Sequence, residues 1–369
     1  MALGAPLAPR GTRTPLGATT GRCRSVARAD LEDRTGRGHG VSLWTGQPAR
    51  RNRWKLPSGA SRSAGMPFRT TTRLAALTAI IGLTACQPGN REAKRLRAAC
   101  DTGAPGACDT LATKLQKGEY VLRDEPHAAE LFEVACKGGI GNGCASLGIA
   151  YQTGTGVKRD SARAIPLFRD GCDKRAMTGC TRLGLLYKVG AGIPRDAAHA
   201  AQLFGQACDG SDIAGCAQLG TLYAAGDGVS QDFSRAARLL RHACDAKEPI
   251  GCVGLGLLHN AGTGVPQNDS IAAALFETAC DAEEVTGCFQ RAIALEAGRG
   301  VTQNYTAAAQ LYRQSCESRH GESCARLASM YDRGAGVRRA PERAKEFRKR
   351  ACDAGYAAAC EAPKTGAAS

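Results

Sequence analysis

Beyond residue 65 this chain of 369 residues has no tryptophan. Nowhere does it hold a serine followed three positions on by a lysine, two cysteines separated by two residues, or an H-x-H or H-E-x-x-H pair. Each absence removes a class of chemistry. Without S-x-x-K there is no serine nucleophile with a lysine one helical turn away to take its proton. Without C-x2-C units the usual structural zinc modules are excluded, and the five histidines from Cys86 onward (His127, His199, His242, His259 and His320) stand singly, so no zinc-hydrolase cluster exists either. No catalytic residue, metal ligand or cofactor site is assigned.

Basic runs are also missing from most of the chain, despite a formal charge of +15. Residues 1–65 carry twelve basic and three acidic side chains, +9 of that total, and Arg69 with Arg73 adds +2, so only +4 remains from Cys86 to the end. Short stretches such as Arg338-Arg339 are all the clustering left, which excludes nucleic acid as a partner.

The residues around Met66 explain the break. Met66 to Arg73 is short and basic, Leu74 to Ala85 is a twelve-residue run of small and apolar residues, and Cys86 follows. The run is too short to cross a bilayer as a helix and suits the apolar region of an export signal. Leu83-Thr84-Ala85-Cys86 resembles the lipobox of bacterial lipoproteins, which implies lipidation of Cys86 as the mature N-terminus. Gln87 follows it rather than aspartate, which by the same resemblance points to the outer membrane, facing the periplasm. Residues 1–65 then read as an upstream segment that is mis-assigned or disordered, with translation beginning at Met66. Residues 66–85 are the signal, 86–99 a short tether, 100–361 the folded part and 362–369 a disordered tail.

What is abundant is cysteine, in a ladder. Cys100, Cys136, Cys172, Cys208, Cys244, Cys280, Cys316 and Cys352 recur every 36 residues, each followed eight residues later by a second cysteine. Sixteen cysteines at fixed spacing suit an exported repeat protein that staples every unit. The expected bridges are Cys100–Cys108, Cys136–Cys144, Cys172–Cys180, Cys208–Cys216, Cys244–Cys252, Cys280–Cys288, Cys316–Cys324 and Cys352–Cys360. With lipidation at Cys86, no free thiol remains in the mature chain as a nucleophile.

Between cysteines each repeat carries a helical pattern. Leu147, Gly148 and Tyr151 fall on one face, with Leu183, Gly184 and Tyr187 and then Leu219, Gly220 and Tyr223 in the same slots. A glycine such as Gly154 or Gly190 ends this first helix, a second glycine and a Val or Ile follow, and Asp160, Asp196, Asp232, Asn268 or Asn304 caps a second helix. That helix turns Ala164, Leu167 and Phe168 inward. Each bridge is expected to join the end of one second helix to the start of the next first helix. The fold class is therefore all-α, a solenoid of 36-residue helix-turn-helix repeats, each stapled by a C-x7-C disulfide.

The pattern A-x-x-L-G-x-x-Y-x-x-G-x-G-V-x-x-D-x-x-x-A resembles the Sel-one-like repeat, a relative of the tetratricopeptide repeat, and the added C-x7-C pair makes it similar to the Helicobacter cysteine-rich protein family. The likeness covers residues 100 to 360 and implies a right-handed α/α superhelix. Departures stand at Tyr120 in a loop-glycine slot, His259 and Leu295 in tyrosine slots, and Ala340 in the last cap slot. Members of that family are described as penicillin-binding or weak β-lactamases, so the resemblance implies a β-lactam or peptidoglycan-like ligand as an alternative. Lys364-Thr365-Gly366 matches the K-T-G element of such enzymes but lies in the tail, as coincidence.

The leading expectation is a scaffold that binds a protein or peptide partner in the cell envelope and meets the membrane through its lipid anchor only. Recognition is expected on the concave surface lined by first helices, at slots that change from unit to unit: Ser146, Arg182, Gln218, Gln290, Arg326 and Arg333.

Overall fold

The computed structural model describes residues 88–360. The upstream segment, the export signal, Cys86 and the tail with its K-T-G element lie outside the described residues. Fifteen helices follow one another, with no strand among the described residues. They are α1 (Pro88–Asp101), α2 (Pro105–Lys117), α3 (Glu125–Lys137), α4 (Gly141–Thr153), α5 (Ser161–Asp173), α6 (Met177–Val189), α7 (Ala197–Asp209), α8 (Ile213–Ala225), α9 (Phe233–Asp245), α10 (Pro249–Ala261), α11 (Asp269–Asp281), α12 (Val285–Ala297), α13 (Tyr305–Glu317), α14 (Gly321–Arg333) and α15 (Pro341–Asp353). From α2 onward they pair into seven units, even-numbered first helices and odd-numbered second helices, and a short 3-10 turn (Ala357–Ala359) carries the chain to the last bridge.

The repeat pattern explains each boundary. A first helix stops at a glycine in the left-handed conformation, as at Gly154 (φ 84), whose N–H donates to the Ala150 carbonyl. The next helix starts where Asp160 accepts from the N–H groups of Ala162 and Arg163, and Asp124, Asp196, Asp232, Asn268 and Asn304 cap their helices likewise. Val157, Ile193, Val229, Val265 and Val337 tuck against the core beneath the turn.

The core is a row of large side chains from the second helices. Phe132, Phe168, Phe204, Leu240, Phe276 and Tyr312 follow each other at the repeat interval and are all buried. Burying each contributes about 2 to 3 kcal/mol. The small residue in the middle slot of the first helix receives that ring: a Cβ on Gly148 would meet Phe168 at 2.7 Å, and one on Gly184 would meet Phe204 at 2.7 Å. The glycine thus admits a phenyl ring from its own unit.

All eight cysteine pairs are joined, with Cα atoms 4.4 to 4.8 Å apart. The six bridges from Cys136–Cys144 to Cys316–Cys324 each tie the end of a second helix to the first turn of the next first helix and so span the junction between units, while Cys100–Cys108 joins α1 to α2 and Cys352–Cys360 joins α15 to the residue after the 3-10 turn. One such loop contributes about 2 to 3 kcal/mol on the chain-entropy estimate.

Residues 88–99 are helical where a tether is expected. In this stretch Ala93 is buried, Leu96 packs against the core of the first unit, and Glu92 pairs with Lys114 at 3.5 Å. Its apolar residues have a surface to cover, and α1 supplies Cys100 to the first bridge, so it acts as half a unit closing the stack.

Candidate functional site

First helices of neighbouring units touch one another, α4 with α6, α6 with α8, α8 with α10 and α10 with α12, whereas second helices approach each other less closely. The first helices therefore form a continuous inner face. The six candidate residues all lie on first helices, but they do not make one open line. Ser146, Arg182, Gln290 and Arg326 are half-buried and Arg333 is exposed. Gln218 is only 7% exposed, and its Oε1 accepts from Lys188 at 2.9 Å, so it is corrected from an open recognition slot to a packing residue between helices.

The pairing partners occupy a neighbouring slot that the changing polar series does not include. Lys188, at the end of α6, reaches across to Gln218 and to the Thr221 hydroxyl (3.3 Å) on α8. Burial pulls its ammonium below the ordinary lysine value, with Asp227 opposing the shift. Three units on, Glu296 takes the same slot and gathers the opposite charge. It accepts from the Tyr312 hydroxyl at 2.8 Å and from Arg333 at 3.1 Å, and Arg326 stands 3.8 Å away. Burial and the Glu296 charge push the Tyr312 hydroxyl well above its ordinary range. Arg326 also binds Glu322 and lies over the Phe289 ring, 5.7 Å from its centroid.

A second set of side chains ties the loop inside each unit. Arg195 donates through Nε to the Lys188 carbonyl, Gln231 to that of Ala224, Gln267 to that of Asn260, Gln303 to that of Glu296 and Arg339 to that of Asp332. They satisfy carbonyls that a helix end leaves open. Their signal in the sequence is the run of Arg and Gln at steps of 36.

Two grooves lie at equivalent places, between consecutive second helices and over the tyrosine of a first helix. One, of about 390 Å³, is lined by Glu133, Tyr151, Arg163, Pro166, Asp170 and Lys174. The other, of about 590 Å³, is lined by Arg313, Tyr331, Val337, Arg338, Arg339 and Arg343. Both place an arginine against the tyrosine hydroxyl, Arg163 on Tyr151 at 3.5 Å and Arg343 on Tyr331 at 3.4 Å.

Among the described residues no group of three or more His, Cys, Asp or Glu stands together to hold a metal ion, and every described cysteine is in a bridge. No helix among them is long and apolar enough to cross a membrane.

Paired helices repeating every 36 residues, with a disulfide at every junction and a face of first helices that varies from unit to unit, define a stapled α/α solenoid of the kind that holds protein partners. The chain belongs to the Sel1 repeat family: the repeat matches seven times, at residues 111–140, 142–174, 178–212, 213–247, 249–283, 286–320 and 321–356. Among solved structures it is similar to a protective antigen of uropathogenic Escherichia coli strains displaying an SLR fold, at 27% identity and a TM-score of 0.51 over 72% of this chain. The chain spans 57% of the length of that antigen. It is also similar to a Sel1 repeat protein from Oxalobacter formigenes, at 22% identity and a TM-score of 0.52, over 73% of this chain and 78% of that one. Cysteine-rich protein B of Helicobacter pylori matches at 26% identity and a TM-score of 0.29, over 35% of this chain and 93% of its own. No curated protein matches the chain.

Proposed function

We propose that this protein is an exported scaffold, tethered through lipid at Cys86 to the outer membrane and facing the periplasm, where its inner face holds a protein or peptide partner. The observation that carries this reading is the contact between successive first helices from α4 to α12, which joins five consecutive units into one face whose side chains change while its packing slots stay fixed. An extended segment laid along it meets Arg182, Gln290 and Arg333 in turn, together with the exposed apolar Val189. The eight bridges support the compartment, because such bonds persist where the surroundings are oxidising. They also hold the face rigid before binding, which lowers the ordering cost of association.

The test is affinity capture from envelope extract with the oxidised chain beginning at Cys86, in parallel with an Arg182→Glu, Arg333→Glu variant. A partner retained by the native face and lost from the variant supports the reading. Equal capture by both overturns the placement on the inner face. Incubation with nitrocefin and with labelled penicillin covers the alternative that the family resemblance implies: turnover or covalent labelling abolished by one substitution replaces the scaffold reading with a β-lactam-directed one. Intact mass of membrane-extracted protein checks the anchor, and peptides from residues 1–65 in mature material refute a start at Met66.

A further inference from the structure

The two equivalent grooves differ in charge. In the groove over Tyr151, Glu133 lines the wall and Asp160 pairs with Arg163 at 3.4 Å. In the groove over Tyr331 the slot of Glu133 holds Arg313 and the slot of Asp160 holds Ala340. Two carboxylates are thus replaced, one by a cation and one by a methyl group. What remains is Arg313, Arg338, Arg339 and Arg343 around one opening, with no acidic side chain in its lining. The acids next in sequence to Tyr331 and Arg343 are engaged elsewhere: Asp332 pairs with Arg348, and Glu342 turns out to solvent and pairs with Lys345 at 2.9 Å.

The donors in this groove converge. Arg313 donates to the Tyr331 hydroxyl at 2.7 Å, and Arg343 donates to the same oxygen while its guanidinium lies 5.9 Å from the ring centroid. With its oxygen accepting from both sides, the tyrosine has its own proton free to donate into the opening. No side chain caps α15 at Ala340, so the first-turn N–H groups beside the arginines lack the carboxylate or amide acceptor that every other second helix of the repeats has. Four guanidinium groups in one opening repel one another unless an anion stands between them, and their planar forks match the oxygens of a phosphate group bidentately.

We propose that the groove formed by Arg313, Tyr331, Arg338, Arg339 and Arg343 is a binding site for a phosphate group, carried by a soluble phosphomonoester or by a lipid headgroup. It is separate from the inner face and is confined to the last unit. The other units differ from it: the corresponding slots hold Glu133, Lys158, Arg159 and Arg163 in one, and Glu277, Thr302, Gln303 and Ala307 in another, none carries four arginines there, and every one keeps an Asp or Asn cap in the slot of Ala340.

Calorimetric titration of the full chain with inorganic phosphate and with phenyl phosphate tests the site, beside co-sedimentation with phosphatidylcholine vesicles containing or lacking phosphatidic acid. The expected result is saturable binding with one site per chain, weakened at least tenfold by Arg313→Gln with Arg343→Gln. Ala340→Asp supplies the separating control. It returns the carboxylate that the other grooves have, so it abolishes binding while raising the melting temperature through a restored helix cap. Loss of binding in a more stable protein cannot be misfolding. Binding of phenyl phosphate assigns a soluble ligand, and sedimentation with phosphatidic acid vesicles alone assigns a headgroup; both uphold the site. No binding of either kind, or equal binding by the native chain and Ala340→Asp, overturns it.

Discussion

Each unit contains two turns, and they follow different rules. The junction turn, closed by a disulfide, reverses the chain through one left-handed residue three positions after its first cysteine. That residue is glycine at Gly103, Gly139 and Gly355 but Arg175, Ser211, Lys247, Glu283 and Arg319 in the central units, all with φ between 61 and 69. The caps of the helices that follow vary as well: Asp212, Glu284 and His320 accept a hydrogen bond, while Ala104, Ile140 and Ala176 offer no side-chain acceptor. The turn inside a unit has no covalent closure, and its second left-handed slot is glycine everywhere except Tyr120, while its cap is Asp or Asn everywhere except Ala340. Where a bond closes the turn, local sequence relaxes; where none does, it is strict.

The comparison breaks first, and by the largest amount, on reduction. If the bridges hold junctions that local sequence does not, eight of them at about 2 to 3 kcal/mol sum to roughly 20 kcal/mol, more than the net stability of an ordinary domain of about 5 to 15 kcal/mol. The fully reduced chain is expected to lose its cooperative melting transition and most of its helical circular dichroism. A reduced chain that keeps its melting temperature within a few degrees would show that the junctions stand on their packing alone.

Next comes glycine inside the unit. A Cβ at Gly228 would overlap the backbone of Ala197, at the start of the preceding unit's second helix, and one at Gly300 would overlap that of Asp269. Gly139, in a junction turn, has nothing within 4 Å of the same position. Gly228→Ala therefore combines left-handed strain with a backbone clash and is expected to cost about 3 to 5 kcal/mol, against about 1 kcal/mol of strain alone for Gly139→Ala. Paired urea denaturations of the oxidised proteins read the difference, and equal losses would erase the distinction between the turns.

The ladder, the helix boundaries and the caps were legible in the sequence because each is set by residues within one repeat. Gly154 and Asp160 act through contacts a few residues away, so their spacing announces them. The inner face was less legible. Gln218 looks like an open polar slot by its position, yet Lys188 from the previous unit covers it, and that contact spans 30 residues of sequence. The same holds for Glu296, whose three partners come from two later helices, α13 and α14. The cationic groove was half visible: Ala340 stood out as a missing cap, but only the fold brings Arg313 from the preceding unit to its side.

A smaller effect with the opposite sign is expected at the left-handed junction residues. Lys247 (φ 65) occupies a conformation that costs a non-glycine residue about 1 kcal/mol, held by its N–H bond to the Cys244 carbonyl and by the adjacent bridge. Lys247→Gly relieves that strain at some cost in unfolded-state entropy, and a net gain of about 0.5 kcal/mol follows, measurable as a raised denaturation midpoint. A loss of stability would mean that the side chain contributes a contact that outweighs its strain.

The smallest expected effect lies in the caps, where the loosest junction position meets pH. His320 precedes α14, and its Nδ1 accepts from the Ser323 N–H at 3.2 Å, which requires an unprotonated nitrogen. Burial lowers its pKa from the ordinary 6.5, with Glu322 opposing, and the Phe289 ring stands 4.5 Å away. With the folded value below the unfolded one, the unfolded chain binds more protons in that window, so the contribution is complete above about 6.5 and declines as pH falls through the folded value. Melting temperature is therefore expected to drop between pH 7.5 and pH 5 more in the native chain than in His320→Asn, which keeps a cap acceptor that does not titrate. If the two chains lose the same number of degrees, the histidine is no cap, and the bridge from Cys316 to Cys324 alone sets the start of α14.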